Sequence, residues 1–242
     1  MRSVLIGTAV LALSAFAVPA DASTTKVAYG WAWRVGGTEL RITPMTAAYR
    51  RPHYTFHPIR GAKELRLDYS KAAYRRVTVA CDLKETEGRV AVDRKGLGTT
   101  ACKPRDLSFT LDQSPTSVRV EYRGSKAVKV SELFANTPRT RSVRGTIKRI
   151  DDSTLLFTGQ GTKIKLGYTW VTTFHRTTKG CGDGWLSGRP VNADRNGLGK
   201  KTCRNVHLTA ALKNVRHPVL VKLDYTPDVN QVHDVWEVFG DA

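Results

Sequence analysis

The sequence predicts an all-β protein made of two tandem, internally duplicated β-sandwich or small β-barrel domains, each with one intradomain disulfide. Three observations carry this expectation. Apolar residues alternate with a period of two, no run with helical spacing stands out beyond the first 22 residues, and a set of residues that includes the cysteines returns about 100 positions later. The 242 residues are 40% hydrophobic and 25% charged, a globular composition that excludes collagen-like, mucin-like, broadly disordered and polytopic membrane chains.

Residues 1–22 have the form of a secretory signal peptide. Arg2 provides the positive start, Val4 to Val18 is nearly all apolar, and Ala20-Asp21-Ala22 gives a small-x-small cleavage site. The apolar run is too short for a comfortable membrane span, and no other stretch approaches that length. A soluble, extracellular protein is expected, possible association with the cell envelope included.

The repeat is densest around Asp93-Arg94-Lys95-Gly96-Leu97-Gly98, followed by three residues and Cys102, which returns as Asp194-Arg195-Asn196-Gly197-Leu198-Gly199, followed by three residues and Cys203. Arg76 and Cys81 fall on Arg176 and Cys181, and Gly88-Arg89 falls on Gly188-Arg189. Val130-x-Glu132-x-Phe134 answers Val235-x-Glu237-x-Phe239, and Val35-x-Gly37-Thr38-x-x-Arg41-Ile42 is matched to Val143-x-Gly145-Thr146-x-x-Arg149-Ile150. Two units, 23–137 and 138–242, joined near Asn136-Thr137-Pro138, are expected. The rival is one continuous domain with internal pseudo-symmetry.

Within each unit the strands announce themselves by alternation. Leu65, Leu67 and Tyr69 bracket Arg66 and Asp68, and Val118, Val120 and Tyr122 bracket Arg119 and Glu121. Leu107, Phe109 and Leu111, and in the second unit Val206, Leu208, Ala210 and Leu212, alternate in the same way and are assigned to strands. Gly159-Gln160-Gly161 marks a turn between two of them. Four cysteines in an exported chain favour disulfides, and the duplication favours Cys81 with Cys102 and Cys181 with Cys203. A zinc site would need a C-x-x-C knuckle or a recurring histidine, and the sequence has neither. No metal and no cofactor is expected.

The Asp-Arg-x-Gly-Leu-Gly element is expected to be a turn held by its aspartate. Asn192-x-Asp194-x-Asn196-Gly197 resembles the start of a calcium loop, but the position that needs a bidentate glutamate is Cys203. No histidine recurs between the units, and no nucleophile elbow, zinc-protease or phosphate-loop motif is present, so no catalytic residue is assigned. His53 and His57, in the first unit only, are placed in an exposed aromatic loop. Glu132 and Glu237 are placed on solvated strand faces.

Charge gives the functional expectation. Up to residue 137 the first unit has 21 Lys plus Arg against 11 acids, and the second has 17 against 9. Positions that recur as bases are Arg41 and Arg149, Lys63 and Lys163, Arg76 and Arg176, Arg89 and Arg189, Arg94 and Arg195, and Arg119 and Lys222, with aromatic Tyr74 and Phe174 beside Arg76 and Arg176. These twelve bases and two aromatics are the candidates for a polyanion-binding surface. The leading expectation is a secreted, non-enzymatic binding protein for an anionic wall polymer, acidic polysaccharide or nucleic acid. A protein-recognition module (adhesin or inhibitor) is one alternative, favoured if an aromatic patch lies exposed at residues 53–57. A small basic hydrolase or nuclease using His175, Arg176 and Glu237 is the other.

Overall fold

A computed structural model describes residues 24–82, 88–136, 139–186 and 190–239. The signal-peptide segment, the joint at Thr137-Pro138 and Arg189 lie outside these. In the first half the strands are β1 (Lys26–Gly36), β2 (Glu39–Ile42), β3 (Met45–Arg50), β4 (His53–Pro58), β5 (Leu65–Asp68), β6 (Ala73–Arg76) and β7 (Thr100–Cys102), then helix α1 (Pro104–Gln113), β8 (Thr116–Arg123) and β9 (Lys126–Glu132). The second half runs β10 (Arg141–Arg149), β11 (Thr154–Gly159), β12 (Thr162–Gly167), β13 (Thr173–Arg176), β14 (Lys201–Arg204), helix α2 (Asn205–Lys213), β15 (Val219–Thr226) and β16 (Gln231–Glu237).

The all-β expectation holds, and between sandwich and barrel the pairing decides for the barrel. In the second half β12, β11, β10, β15 and β16 pair in that order, and a parallel contact of Gly167 with Gln231 closes the ring. The first half repeats the circuit: β5, β2, β1, β8 and β9 pair in turn, and Asp68 meets Lys126 in parallel. In both, the fourth strand returns beside the first, a Greek-key connection. The alternating residues do as patterned: Leu67, Tyr69, Val118 and Val120 in one half and Leu166, Val221, Leu223 and Val235 in the other are sealed inside. Gly30 and Gly145 hold equivalent places on the first strands. A Cβ there would sit 2.7 Å from the Thr43 carbonyl oxygen and 2.5 Å from that of Thr158, respectively.

That equivalence corrects the start of the repeat. Gly30 faces Val118 and Gly145 faces Val221, so residues 30 and 145 correspond, and the sequence match of Val35-x-Gly37 to Val143-x-Gly145 is out of register. Arg41 on β2 and Arg149 at the end of β10 are therefore not counterparts.

Two assigned strands are helices. Alternation in a ten-residue segment also contains i, i+4 pairs, and Leu107 and Leu111 make one buried stripe on α1 while Phe109 is exposed. Pro104 in the first turn, and the Asp106 carboxylate accepting the Lys103 N–H at 2.8 Å, start it. On α2 the buried residues are Leu208, Ala211 and Leu212, spaced three and four apart, with Val206 exposed. Among the described residues no helix is long and apolar enough to cross a membrane.

Both disulfides form within their halves, Cys81–Cys102 and Cys181–Cys203, with Cα separations of 5.6 and 5.7 Å. The halves meet at Trp33. Its indole N–H donates to the Val229 carbonyl at 3.2 Å, and its ring lies so close to Gly167 that a Cβ there would be 2.5 Å away.

Candidate functional site

Residues 53–57 form no loop but half of a hairpin, β3–β4, inserted in the first half only. Tyr49 faces Tyr54 and Arg50 faces His53 across it. Alternation turns the aromatic rings inward: Tyr54 is buried, and Tyr49 and Phe56 pack with Tyr29, Leu97 and Leu133. The Tyr49 and Tyr54 rings are 4.8 Å apart. Burial pushes the Tyr54 hydroxyl up to about 12, so it stays a neutral donor. What the hairpin leaves in water at its tip is Arg50, Arg51 and His53.

The Asp93–Gly98 turn is pressed onto this hairpin. Asp93 Oδ1 accepts the N–H groups of Lys95 and Leu97 at 2.8 and 2.9 Å, and Gly96 takes a positive φ of 72°. A Cβ on Gly96 would lie 2.5 Å from the Tyr49 ring, so only glycine lets turn and ring meet. The Tyr54 hydroxyl donates to the Lys95 carbonyl. Arg94 and Lys95, both exposed, are thereby held beside the hairpin tip. Arg50, Arg51, Arg94 and Lys95 make no ion pair among the described residues, and the Asp93 carboxylate beside Arg94 is turned onto backbone amides. His53 completes the corner, edge-on to Phe134 at 6.2 Å.

The equivalent turn in the second half is built alike. Asp194 Oδ1 accepts the Asn196 and Leu198 amides at 2.7 and 2.8 Å, and these bonds draw its carboxyl below the ordinary aspartate value. A carboxyl lowered on folding stabilises the protein fully above its unfolded pKa near 4, and that contribution is lost as pH falls toward the folded value. Asp194→Asn is expected to flatten the acid limb of melting temperature against pH below about pH 4. An unchanged acid limb would count against the turn's role.

Eleven of the twelve basic candidates, all but Arg189, lie among the described residues and separate by environment. Arg76 and Arg176 are not surface groups. Arg176 is fully buried against Glu237 at 2.8 Å, and Arg76 lies 3.5 Å from Glu132. Neither guanidinium is open to a polyanion, and Glu132 and Glu237 are buried rather than solvated, because each lies where its strand meets the disulfide loop. Arg41, Arg119, Arg149 and Lys222 are half-buried and paired with Glu64, Glu121, Asp152 and Asp224. Lys63, Arg89, Arg94, Lys163 and Arg195 are exposed and make no ion pair among the described residues. Tyr74 and Phe174 are core residues, unavailable for stacking.

His175, Arg176 and Glu237 do not form a cleft. His175 points to the opposite face of β13, where it hydrogen-bonds Asp234 at 2.8 Å and stacks on Trp236 with centroids 4.7 Å apart. Lys222 covers the same indole, its Nζ 3.8 Å from the centroid. Arg50, Arg51 and Lys95 have no basic counterpart in the second half, so duplication does not point to them. The run Arg50-Arg51 beside the odd insertion was the available signal. No protein-family model, curated protein or solved structure matches the chain.

Proposed function

We propose that the protein is a non-enzymatic binder of an anionic polymer outside the cell, and that the corner formed by Arg50, Arg51, Arg94 and Lys95 is its principal contact. The observation that carries this reading is the joining of two turns so that four cations share one corner without carboxylate partners among the described residues. Guanidinium groups suit phosphate, sulfate and carboxylate oxygens, which they can hold by paired hydrogen bonds. The inward turn of Tyr49, Tyr54 and Phe56 supports a polymer over a protein partner, since the exposed aromatic patch that protein recognition would use is missing from residues 53–57. The two disulfides are compatible with an extracellular setting.

The test is affinity for a single-stranded DNA oligonucleotide and for heparin as salt is raised. Four phosphate contacts on a single strand give a slope of log K against log salt of about −3. The combined variant R50Q/R51Q/R94Q/K95Q is expected to abolish most of the binding and flatten that slope, with an unchanged melting temperature because all four side chains lie in solvent. Binding to both polymers that is indifferent to salt between about 50 mM and 0.5 M, or indifferent to the variant, overturns the proposal.

A further inference from the structure

A second feature lies away from the cationic corner, where the two barrels meet. β1 places Trp31 and Trp33 on its outer face, two residues apart, while Ala32 between them points into the core. Trp33 is used up in the joint: the Arg41 guanidinium lies 5.1 Å from its ring centroid, Gly167 packs on the ring, and its N–H is bonded to Val229. Trp31 is only half-buried. It packs edge-on to Phe56 at 5.9 Å and borders a cavity of about 350 Å³ between the halves. That volume is at the small end of pockets that hold small molecules, about 300–1,000 Å³.

The polar wall of the cavity has no net charge. Arg41 and Glu64 come from the first half, 3.3 Å apart, and Lys165 and Asp228 from the second, with Asn230 beside them. Two cations balance two carboxylates. An anion entering would meet Glu64 and Asp228, and a cation would meet Arg41 and Lys165. An apolar molecule would strip water from four charged groups and give nothing in return. A ligand with one apolar face and a rim of neutral donors and acceptors meets none of these penalties.

We propose that this cavity binds one ring of a neutral sugar. The C–H face of a pyranose lies on the Trp31 indole, and its hydroxyls, each both donor and acceptor, bridge Asp228, Asn230 and Lys165 on one side and the Arg41–Glu64 pair on the other. Both halves contribute walls, so the site exists only in the joined arrangement. It is independent of the polyanion corner, and its affinity owes little to long-range charge.

The experiment is titration of the intact protein with maltotriose, cellotriose and triacetylchitotriose, read by tryptophan fluorescence and by calorimetry. At least one is expected to bind with a dissociation constant below about 1 mM, unchanged between about 50 mM and 0.5 M salt. Asp228→Asn, an exposed turn substitution that keeps the melting temperature, is expected to weaken it at least tenfold, and Trp31→Ala to remove both heat and fluorescence change. R50Q/R51Q/R94Q/K95Q leaves it intact, which separates this site from the proposed polymer contact. If none of the three sugars gives a heat or fluorescence change at about 10 mM, or if binding survives Asp228→Asn and Trp31→Ala undiminished, the proposal fails.

Discussion

Arg176→Met is expected to destabilise the protein by about 3–5 kcal/mol, the range for breaking a buried ion pair from one side. Arg176 and Glu237 are both fully buried, and the guanidinium is caged by carbonyls: Cys181 at 2.8 Å, Asp183 at 2.5 Å and Gly184 at 2.7 Å. Methionine fills much of the volume but leaves a carboxylate without its cation and three carbonyls without a donor. The first half supplies an internal control. Glu132 also accepts the Tyr74 hydroxyl and, at 2.9 Å, the Val77 amide. The equivalent ring in the second half, Phe174, has no hydroxyl to offer. Glu237 has its own remaining donors, the Thr177 amide at 2.9 Å and hydroxyl at 3.2 Å. The difference between the halves therefore lies in burial: Arg76 keeps some exposure where Arg176 has none, and Arg76→Met is expected to cost less than Arg176→Met. Urea titrations of the two variants decide the matter. An equal loss would overturn the difference between the halves, and an Arg176→Met loss under about 1 kcal/mol would show that the cage contributes little.

Cys181→Ala/Cys203→Ala is the second large effect, about 3 kcal/mol from the loop-closure entropy of a crosslink spanning 22 residues. The clasp also fixes the loop whose carbonyls of Cys181, Asp183 and Gly184 hold Arg176. The two perturbations act on one network, so the triple variant with Arg176→Met is expected to lose clearly less than the separate losses summed. Full additivity in denaturant midpoints, at constant m, would show that clasp and cage are independent.

The cage shows where the sequence was legible and where it was not. Arg76 and Arg176, and Glu132 and Glu237, were each visible as recurring residues, but recurrence does not say that one answers the other across 61 positions. Charge alone suggested surface for both, and only the fold showed them facing inward together. The strands with strict alternation, Leu65 to Tyr69 and Val118 to Tyr122, were legible because one side of each meets a core. Leu107 to Leu111 misled because five residues satisfy a period of two and an i, i+4 pair equally well, and the deciding sign was the Lys103-Pro104-x-Asp106 start rather than the apolar pattern. The disulfide pairing was legible from duplication. The cationic corner was half legible: Arg94 recurs, whereas Arg50 and Arg51 joined it only through the fit of Tyr49 under Gly96.

The Trp33 joint brings together two unlike surfaces, the strand face of one barrel and the turn between β15 and β16 of the other. A contact of that head-to-tail kind is not self-complementary, and repeated without limit it would build a filament. Neither half of it recurs. Where Ala32 corresponds to Ile147, the place of Trp33 is taken by exposed Lys148, and the first barrel's own turn between β8 and β9 is only Gly124-Ser125, too short to reach a neighbour as Pro227 to Asn230 does. Duplication did not copy the joint, so among the described residues neither barrel offers this same contact a second time.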